Sequence, residues 1–197
     1  MQSSRYFWEG SKVRLRPFSP DDWREWLDDF SDSHAIWDLE GGVELPKSET
    51  MAKAKYAEWA DFGDTSKYIM FAVETLSGEL AGGISMHTRS EKNGTFSFGI
   101  RINQKHRKQG YGQDALRLLL RYGFYELRYQ KCNSACVERN EGSIRLHKKL
   151  GFVEEGRRRR SIYMDGRFYD DLLFGLTREE FDENENVSPS RTPRGIT

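Results

Sequence analysis

Arg107-Lys108-Gln109-Gly110-Tyr111-Gly112 stands where an alternating run, residues 95–102, gives way to a helical pattern that begins near Gly112. A strand enters, a glycine-rich turn follows, and a helix leaves. Glycine lacks a Cβ, so Gly110 and Gly112 can take positive φ and let a ligand approach the backbone amides. The first N–H groups of a helix have no partner within it, and the macrodipole adds about half a positive charge there, which suits a phosphate. Arg107 and Lys108 bring mobile positive charge to the same turn. The stretch therefore reads as a pyrophosphate cradle; the competing reading is a basic loop that ends in a glycine-started helix. A P-loop is excluded because G-x-x-x-x-G-K-[ST] does not occur. A three-glycine dinucleotide fingerprint is incomplete, since Ala115 stands where the third glycine would.

Working outward, Phe96, Phe98, Ile100 and Ile102 alternate with Ser97, Gly99 and Arg101 in the clearest strand of the chain. Gly99 in its middle suggests a bulge or a close backbone approach. The helix after the turn buries Leu116, Leu119, Gly123 and Leu127, with Asp114, Arg117, Arg121, Tyr125 and Arg128 on the other face. Residues 131–138 form the next strand and 140–150 a short helix, closed by Gly151 and basic along Arg145, Lys148 and Lys149. Strands 152–164 and 167–177 are joined by Asp165-Gly166, a pair favoured in type I′ hairpins.

Upstream, residues 12–16 alternate until Pro17 stops them, and Ser19-Pro20-Asp21-Asp22 is a helix start with Trp23, Trp26, Leu27 and Phe30 on one face. Periodicity then fails over 31–45. Pro46 and Ser48 open a second helix whose face carries Ala52, Tyr56, Trp59 and, at its end, Phe62, before Gly63-Asp64. Runs 68–74 and 80–86 read as a hairpin. The order is strand, two helices, three strands, helix, strand, helix, two strands, which is a mixed α/β sheet.

The 197 residues suit a single domain over 1–181, and residues 182–197 are too polar to order themselves, so a disordered tail is expected there. Lys and Arg number 31, as do Asp and Glu, so no global field selects nucleic acid or a membrane. Residues 157–160 are four arginines, but on a strand they point alternately to two faces and make no continuous stripe. No apolar run approaches the roughly 18 residues of a spanning helix. Residues 1–5 lack the apolar core of a signal peptide, which leaves a cytoplasmic protein as the expectation. Cys132 and Cys136 would lie about 13 Å apart on one strand face, too far for a disulfide. With no metal-ligand spacing around them, they read as structural thiols.

Residues 107–112 resemble the R/Q-x-x-G-x-G/A signature of the acyl-CoA-dependent N-acetyltransferase superfamily (GNAT). Residues 140–152, Asn-Glu-Gly-Ser-Ile-Arg-Leu-His-Lys-Lys-Leu-Gly-Phe, resemble its second signature, N-x-x-[SA]-I-x-L-Y-x-K-L-G-F. The two occur in the right order, separated by one helix and one strand. The likeness is nearest to the branch holding ribosomal-protein α-amine acetyltransferases and spermidine acetyltransferases. It implies a mixed, largely antiparallel seven-stranded sheet with helices on both faces, parted between strands four and five. The implied chemistry is direct attack of an amine on acetyl-CoA, with no acyl-enzyme and no metal.

By the same resemblance, backbone groups of Ile100, Arg101 and Ile102 pair with the pantetheine arm. Amides of Arg107, Lys108, Gln109, Gly110, Tyr111, Gly112 and Gln113 hold the pyrophosphate. Asn140 matches the asparagine that contacts the cofactor, with Ser143 placed beside it, although asparagine is also a favoured helix cap. His147 departs from the pattern: it stands where a tyrosine proposed to protonate the departing thiolate is usual. Histidine can do this near neutral pH, or it is simply packing.

Ser97 occupies the place of a glutamate that many relatives carry as base. Deprotonating an ε-amine at pH 7 costs about 4.6 kcal/mol and an α-amine about 1. A site without an obvious base therefore favours an α-amine, unless Glu138 acts through water. The acceptor is expected to be a protein or peptide N-terminus, or alternatively a polyamine or other small amine. A non-catalytic acyl-CoA-binding module is the rival from another class. The loop 31–45 reads either as plain surface or as a lid in which Trp37, Asp38, Glu40 and Glu44 receive the amine cation. The expected partners are thus a small-molecule amine or a protein N-terminus, with neither nucleic acid nor membrane, and the reading is compatible with a homodimer.

Overall fold

Alternation sets the edge of the sheet. In β1 (Val13–Arg16), Val13 and Leu15 are fully buried while Arg14 and Arg16 face the other way and both hydrogen-bond Glu74 on the neighbouring strand. The computed structural model describes residues 6–25, 45–46, 48–60 and 68–187. Among these, β1 is followed by β2 (Ile69–Thr75), β3 (Leu80–Ser90), β4 (Thr95–Ile102), β5 (Lys131–Val137), β6 (Val153–Met164) and β7 (Arg167–Thr177). They form one seven-stranded sheet in the order β1-β2-β3-β4-β5-β7-β6. Every pairing is antiparallel except β4 with β5.

That parallel pairing is short. Thr95, Phe96 and Ser97 sit opposite Lys131, Cys132 and Asn133. Beyond them β4 continues along β3 as far as Ile102, and β5 continues along β7 as far as Val137. The strands part there, so the expected fork between strands four and five is present. The Asp165-Gly166 turn has φ of 49° and 72°, the left-handed pair a type I′ hairpin needs.

Helices cover both faces. On one, α1 (Glu49–Ala60) buries Ala52 and Tyr56 with Phe18 and Trp23 against Ala72 and Leu80. Ser48 Oγ caps its start by accepting from Met51 N at 3.2 Å. On the other, α2 (Tyr111–Arg121) places Leu116, Leu119 and Leu120 against Val73, Met86 and Phe96. It loosens into a π-turn, Tyr122–Glu126. A Cβ on Gly123 would come within 2.6 Å of the Phe96 ring, so only glycine lets the helix lie this close to β4. Then come α3 (Glu141–Lys149) and α4 (Arg178–Val187).

Four expectations change. Gly99 carries no bulge, since the β3–β4 ladder runs unbroken from Gly82↔Ile102 to His87↔Ser97. The irregularity falls between His87 and Ser90, where Thr88 takes φ of 49°. Asp114 is buried, not on the solvent face: it accepts from the amides of Lys12 and Val13 at 2.8 and 3.1 Å and from Ser11, and so ties the start of β1 to α2. The tail does not begin at 182. Thr177 and Glu180 form a capping box, with Thr177 N donating to Glu180 Oε2 at 2.8 Å and Glu180 N to Thr177 Oγ1 at 3.2 Å. The helix they start is held down by Phe181 in the core beside Phe124, by the Tyr125 hydroxyl on Asp182, and by Arg117 on Glu185. Residues 188–197 lie outside the described residues. Finally, the helix expected after Ser19 opens as a 3-10 turn, Pro20–Asp22, capped by Ser19. Trp26, Leu27, Phe30, Phe62 and Gly63-Asp64 lie outside the described residues.

Candidate active site

At the wide end of the fork, β4 runs through a 3-10 turn, Gln104–His106, into the glycine turn. Gly110 takes φ of 85° and stands at the N-cap of α2 with no side chain capping it. The first i→i−4 bond of the helix is Asp114 N to Gly110 O at 3.1 Å, so the amides of Tyr111, Gly112 and Gln113 precede it. Gly112 lies on β4, where a Cβ would meet Ile102 Cγ1 at 3.3 Å and Ile100 Cδ1 at 3.7 Å. The turn is thus seated against the strand edge that the fork exposes. Its uncapped amides and missing Cβ atoms fit a pyrophosphate.

Arg107 contributes differently from the expectation. Its amide donates to Gln104 O at 3.3 Å and its Nε to Ile102 O at 3.0 Å, so it braces the turn instead of lending that amide to a ligand. Lys108 and Gln109 are exposed, and Lys108 also takes a left-handed φ of 61°. Sequence reading missed Lys12, whose Nζ hydrogen-bonds Gln109 O at 2.7 Å. It lies about where β1 meets the turn, and only the Asp114 tether could have signalled it.

At the narrow end stands His147. Asn140 Oδ1 caps α3 by accepting from Ser143 N at 2.9 Å, which orients the helix that carries the histidine. The His147 ring is 1% exposed and is boxed by three phenyl rings. It stacks on Phe174 of β7 at 4.5 Å and 18°, and lies 5.0 Å from Phe152 and 5.6 Å from Phe98 of β4. Nδ1 is 2.8 Å from Ser143 O, and Nε2 is 2.8 Å from Ser134 Oγ on β5. Burial lowers the imidazole pKa from 6.5, only partly opposed by the hydrogen bond to Ser143. Ile100, Ile102, the turn and His147 therefore share one side of the fork. Ser134 was missed because nothing local marks a serine in a strand.

The opposite face carries Ser97, and directly across the ladder from it His87. A Cβ on Gly99 would lie 3.7 Å from His87 Nε2 and 3.1 Å from Ser85 Oγ, so the strand glycine makes room for these side chains. His87 Nδ1 is 2.9 Å from Thr88 Oγ1, and burial lowers its pKa as well. Glu138 is held in place: Oε1 accepts from Asp170 N at 3.0 Å and Oε2 from Arg157 at 3.3 Å. Arg158 pairs with Asp171 and the Arg160 guanidinium lies over Phe168, so these three arginines are engaged within their own hairpin or with Glu138. Burial pushes the Cys132 thiol up, which disfavours a thiolate, and neither cysteine is in a disulfide. Trp37, Asp38, Glu40 and Glu44 lie outside the described residues. Among the described residues no cluster could hold a metal, and no helix is long and apolar enough to cross a membrane.

Comparison with known proteins defines the class. The family model described as acetyltransferase (GNAT) domain matches residues 12–153, and the chain belongs to that family. It is accordingly an acyltransferase. A SPbeta prophage-derived uncharacterized N-acetyltransferase YokL of Bacillus subtilis is 32% identical over 179 residues, covering 90% of this chain and 97% of its own. The spermidine N(1)-acetyltransferase of Escherichia coli K12 is 25% identical over 62% of this chain and 64% of its own. Among solved structures, the spermidine N-acetyltransferase of Vibrio cholerae in complex with CoA and spermine superposes with a TM-score of 0.73 at 20% identity, over 87% of this chain and 98% of that one.

Proposed function

We propose that the protein transfers the acetyl group of acetyl-CoA to a primary amine by direct attack within a ternary complex. The observation that carries this is the uncapped start of α2, with Gly110 at φ of 85°, set at the open end of the β4–β5 fork. On this reading the amides from Lys108 to Gln113 hold the pyrophosphate, while Ile100, Arg101 and Ile102 offer the edge of β4 to the pantetheine arm. Asn140 and Ser143 line the start of α3, and His147 stands on the side where the thiolate departs.

For the acceptor, the relatives include a putative ribosomal N-acetyltransferase as well as the spermidine enzymes. Ser97 in place of a carboxylate, and Glu138 bound to Arg157 and Asp170, favour an amine that needs little help to lose its proton. An α-amine at a protein or peptide N-terminus meets that condition better than a polyamine. The carboxylates Asp38, Glu40 and Glu44 with Trp37 are proposed to receive it.

Thiol release from acetyl-CoA, compared between spermidine and short peptides with free N-termini, tests this reading. Peptides are expected to be the better substrates. Glu40→Gln with Glu44→Gln is expected to raise the acceptor KM about threefold to tenfold, on the order of 1 kcal/mol for lost charge pairing, without changing acetyl-CoA affinity. Preferential turnover of spermidine would reverse the choice of acceptor, and an unchanged KM would remove the loop from the acceptor site.

A further inference from the structure

His147 stands at the tyrosine position, yet its ring is enclosed and both nitrogens are engaged. A carbonyl oxygen can only accept, so Nδ1 must carry the proton that Ser143 O receives. In the neutral ring Nε2 then holds the lone pair, and the 2.8 Å contact to Ser134 is a hydroxyl donating to that nitrogen. Ser134 is the first residue of β5 beyond the three that pair with β4, so it lies at the foot of the fork. It shares the face of Phe174, its partner on β7, which stacks on His147. Unlike the histidine, it is only half-buried. The histidine is sealed off, and the serine is the member of the pair that keeps accessible surface at the foot of the fork.

We infer that Ser134 is the group in contact with the reacting atoms, and that His147 acts through it as a positioning residue and proton store serving both halves of the transfer. The inference rests on the acetyl-transfer reading above. Attack of the amine on the thioester carbon forms the C–N bond and moves the carbonyl pair onto oxygen. The ammonium proton passes to Ser134 Oγ while the Ser134 proton passes to His147 Nε2. Collapse re-forms the carbonyl and breaks the C–S bond, and the sulfur takes a proton from Ser134 Oγ, which His147 Nε2 replaces. Nitrogen and sulfur are then on the same carbon, so one hydroxyl can reach both. Ser134 and His147 return to their starting states, and the products are the amide and the CoA thiol. The relay also accounts for a site with serine at position 97: the proton acceptor is imidazole, kept neutral by its aromatic box.

Two experiments on the full chain test it. The first needs no acceptor: imidazole nitrogen NMR with CoA and with desulfo-CoA. In the wild type the two ligands are expected to shift His147 differently, and in Ser134→Ala identically. Identical spectra in the wild type would overturn the inference. The second follows turnover of whichever of spermidine or a free-N-terminus peptide reacts. Ser134→Ala is expected to lower kcat about a hundredfold, within the range of general acid–base catalysis, with acetyl-CoA affinity unchanged. Ser134→Thr, which keeps the hydroxyl, should restore most of it. The wild-type kcat should fall on acidification only below pH 6.5, as the lowered pKa of His147 requires.

Wild-type turnover in Ser134→Ala overturns the relay. So does a loss that follows His87→Gln instead, which would put the proton on the other face, or an acetylated Ser134, which would make it a nucleophile. Failure to bind acetyl-CoA at all would instead refute the proposed function.

Discussion

At the end of the fork proposed to hold the phosphates the groups on offer are main-chain amides and glycine α-carbons, whereas at the end proposed to hold the thioester they are side chains drawn from β4, β5, α3 and β7. The first end needs only that a strand, a turn and a helix follow one another, so its parts are contiguous in sequence. The second draws its side chains from four elements, and its central pair, Ser134 and His147, joins β5 to α3 across 13 residues of chain. Binding and chemistry should therefore respond separately to substitution.

The largest expected effect is at the thioester end. His147→Ala removes the proposed proton store and should lower kcat about a hundredfold while the acetyl-CoA Kd, measured by calorimetry, stays within twofold. A parallel loss of affinity would mean that the box serves binding as well, and the contrast between the ends would fail. Next comes Gly110→Asp, which places a carboxylate where the pyrophosphate is proposed to sit and asks a non-glycine residue to take φ of 85°. Acetyl-CoA affinity should fall about tenfold, worth about 1.4 kcal/mol, with kcat at saturation retained. Unchanged affinity would remove the turn from the cofactor site. Smallest is Asn140→Ala. It removes the α3 cap and should cost about 1 kcal/mol in denaturant unfolding. Because α3 carries His147, a drop in kcat larger than the drop in affinity would tie Asn140 to the thioester end.

The same contrast explains what the sequence made legible. The β4 alternation, the glycine turn and the Asp165-Gly166 hairpin are local patterns, and each forms the expected element, although of the two glycines in the turn only Gly110 takes a positive φ and Gly112 lies within the helix. Residues 177–180 also carried a local signal, Thr-Arg-Glu-Glu, that starts α4; the acidic composition beyond it hid the capping box. Asp114 looked solvent-facing on a helical wheel because a wheel cannot show the amides of residues 11–13 arriving from β1. Gly99 signalled a close approach, and the structure supplies it in Ser85 and His87. Ser134 had no signal of its own.

Three opposed residue pairs join β4 to β5, and through them the β1–β4 half of the sheet to the β5–β7 half. Past that seam the two halves part along the remaining length of β4. A ligand that bridges the seam acts as a missing piece of sheet, making contacts on both sides that neither half can make alone. On the proposed reading acetyl-CoA is that piece, and its binding free energy is then also cohesion between the halves. A hundredfold excess over Kd would add about 2.7 kcal/mol to the unfolding free energy. On that reading, substrate supply sets how firmly the enzyme holds its own shape.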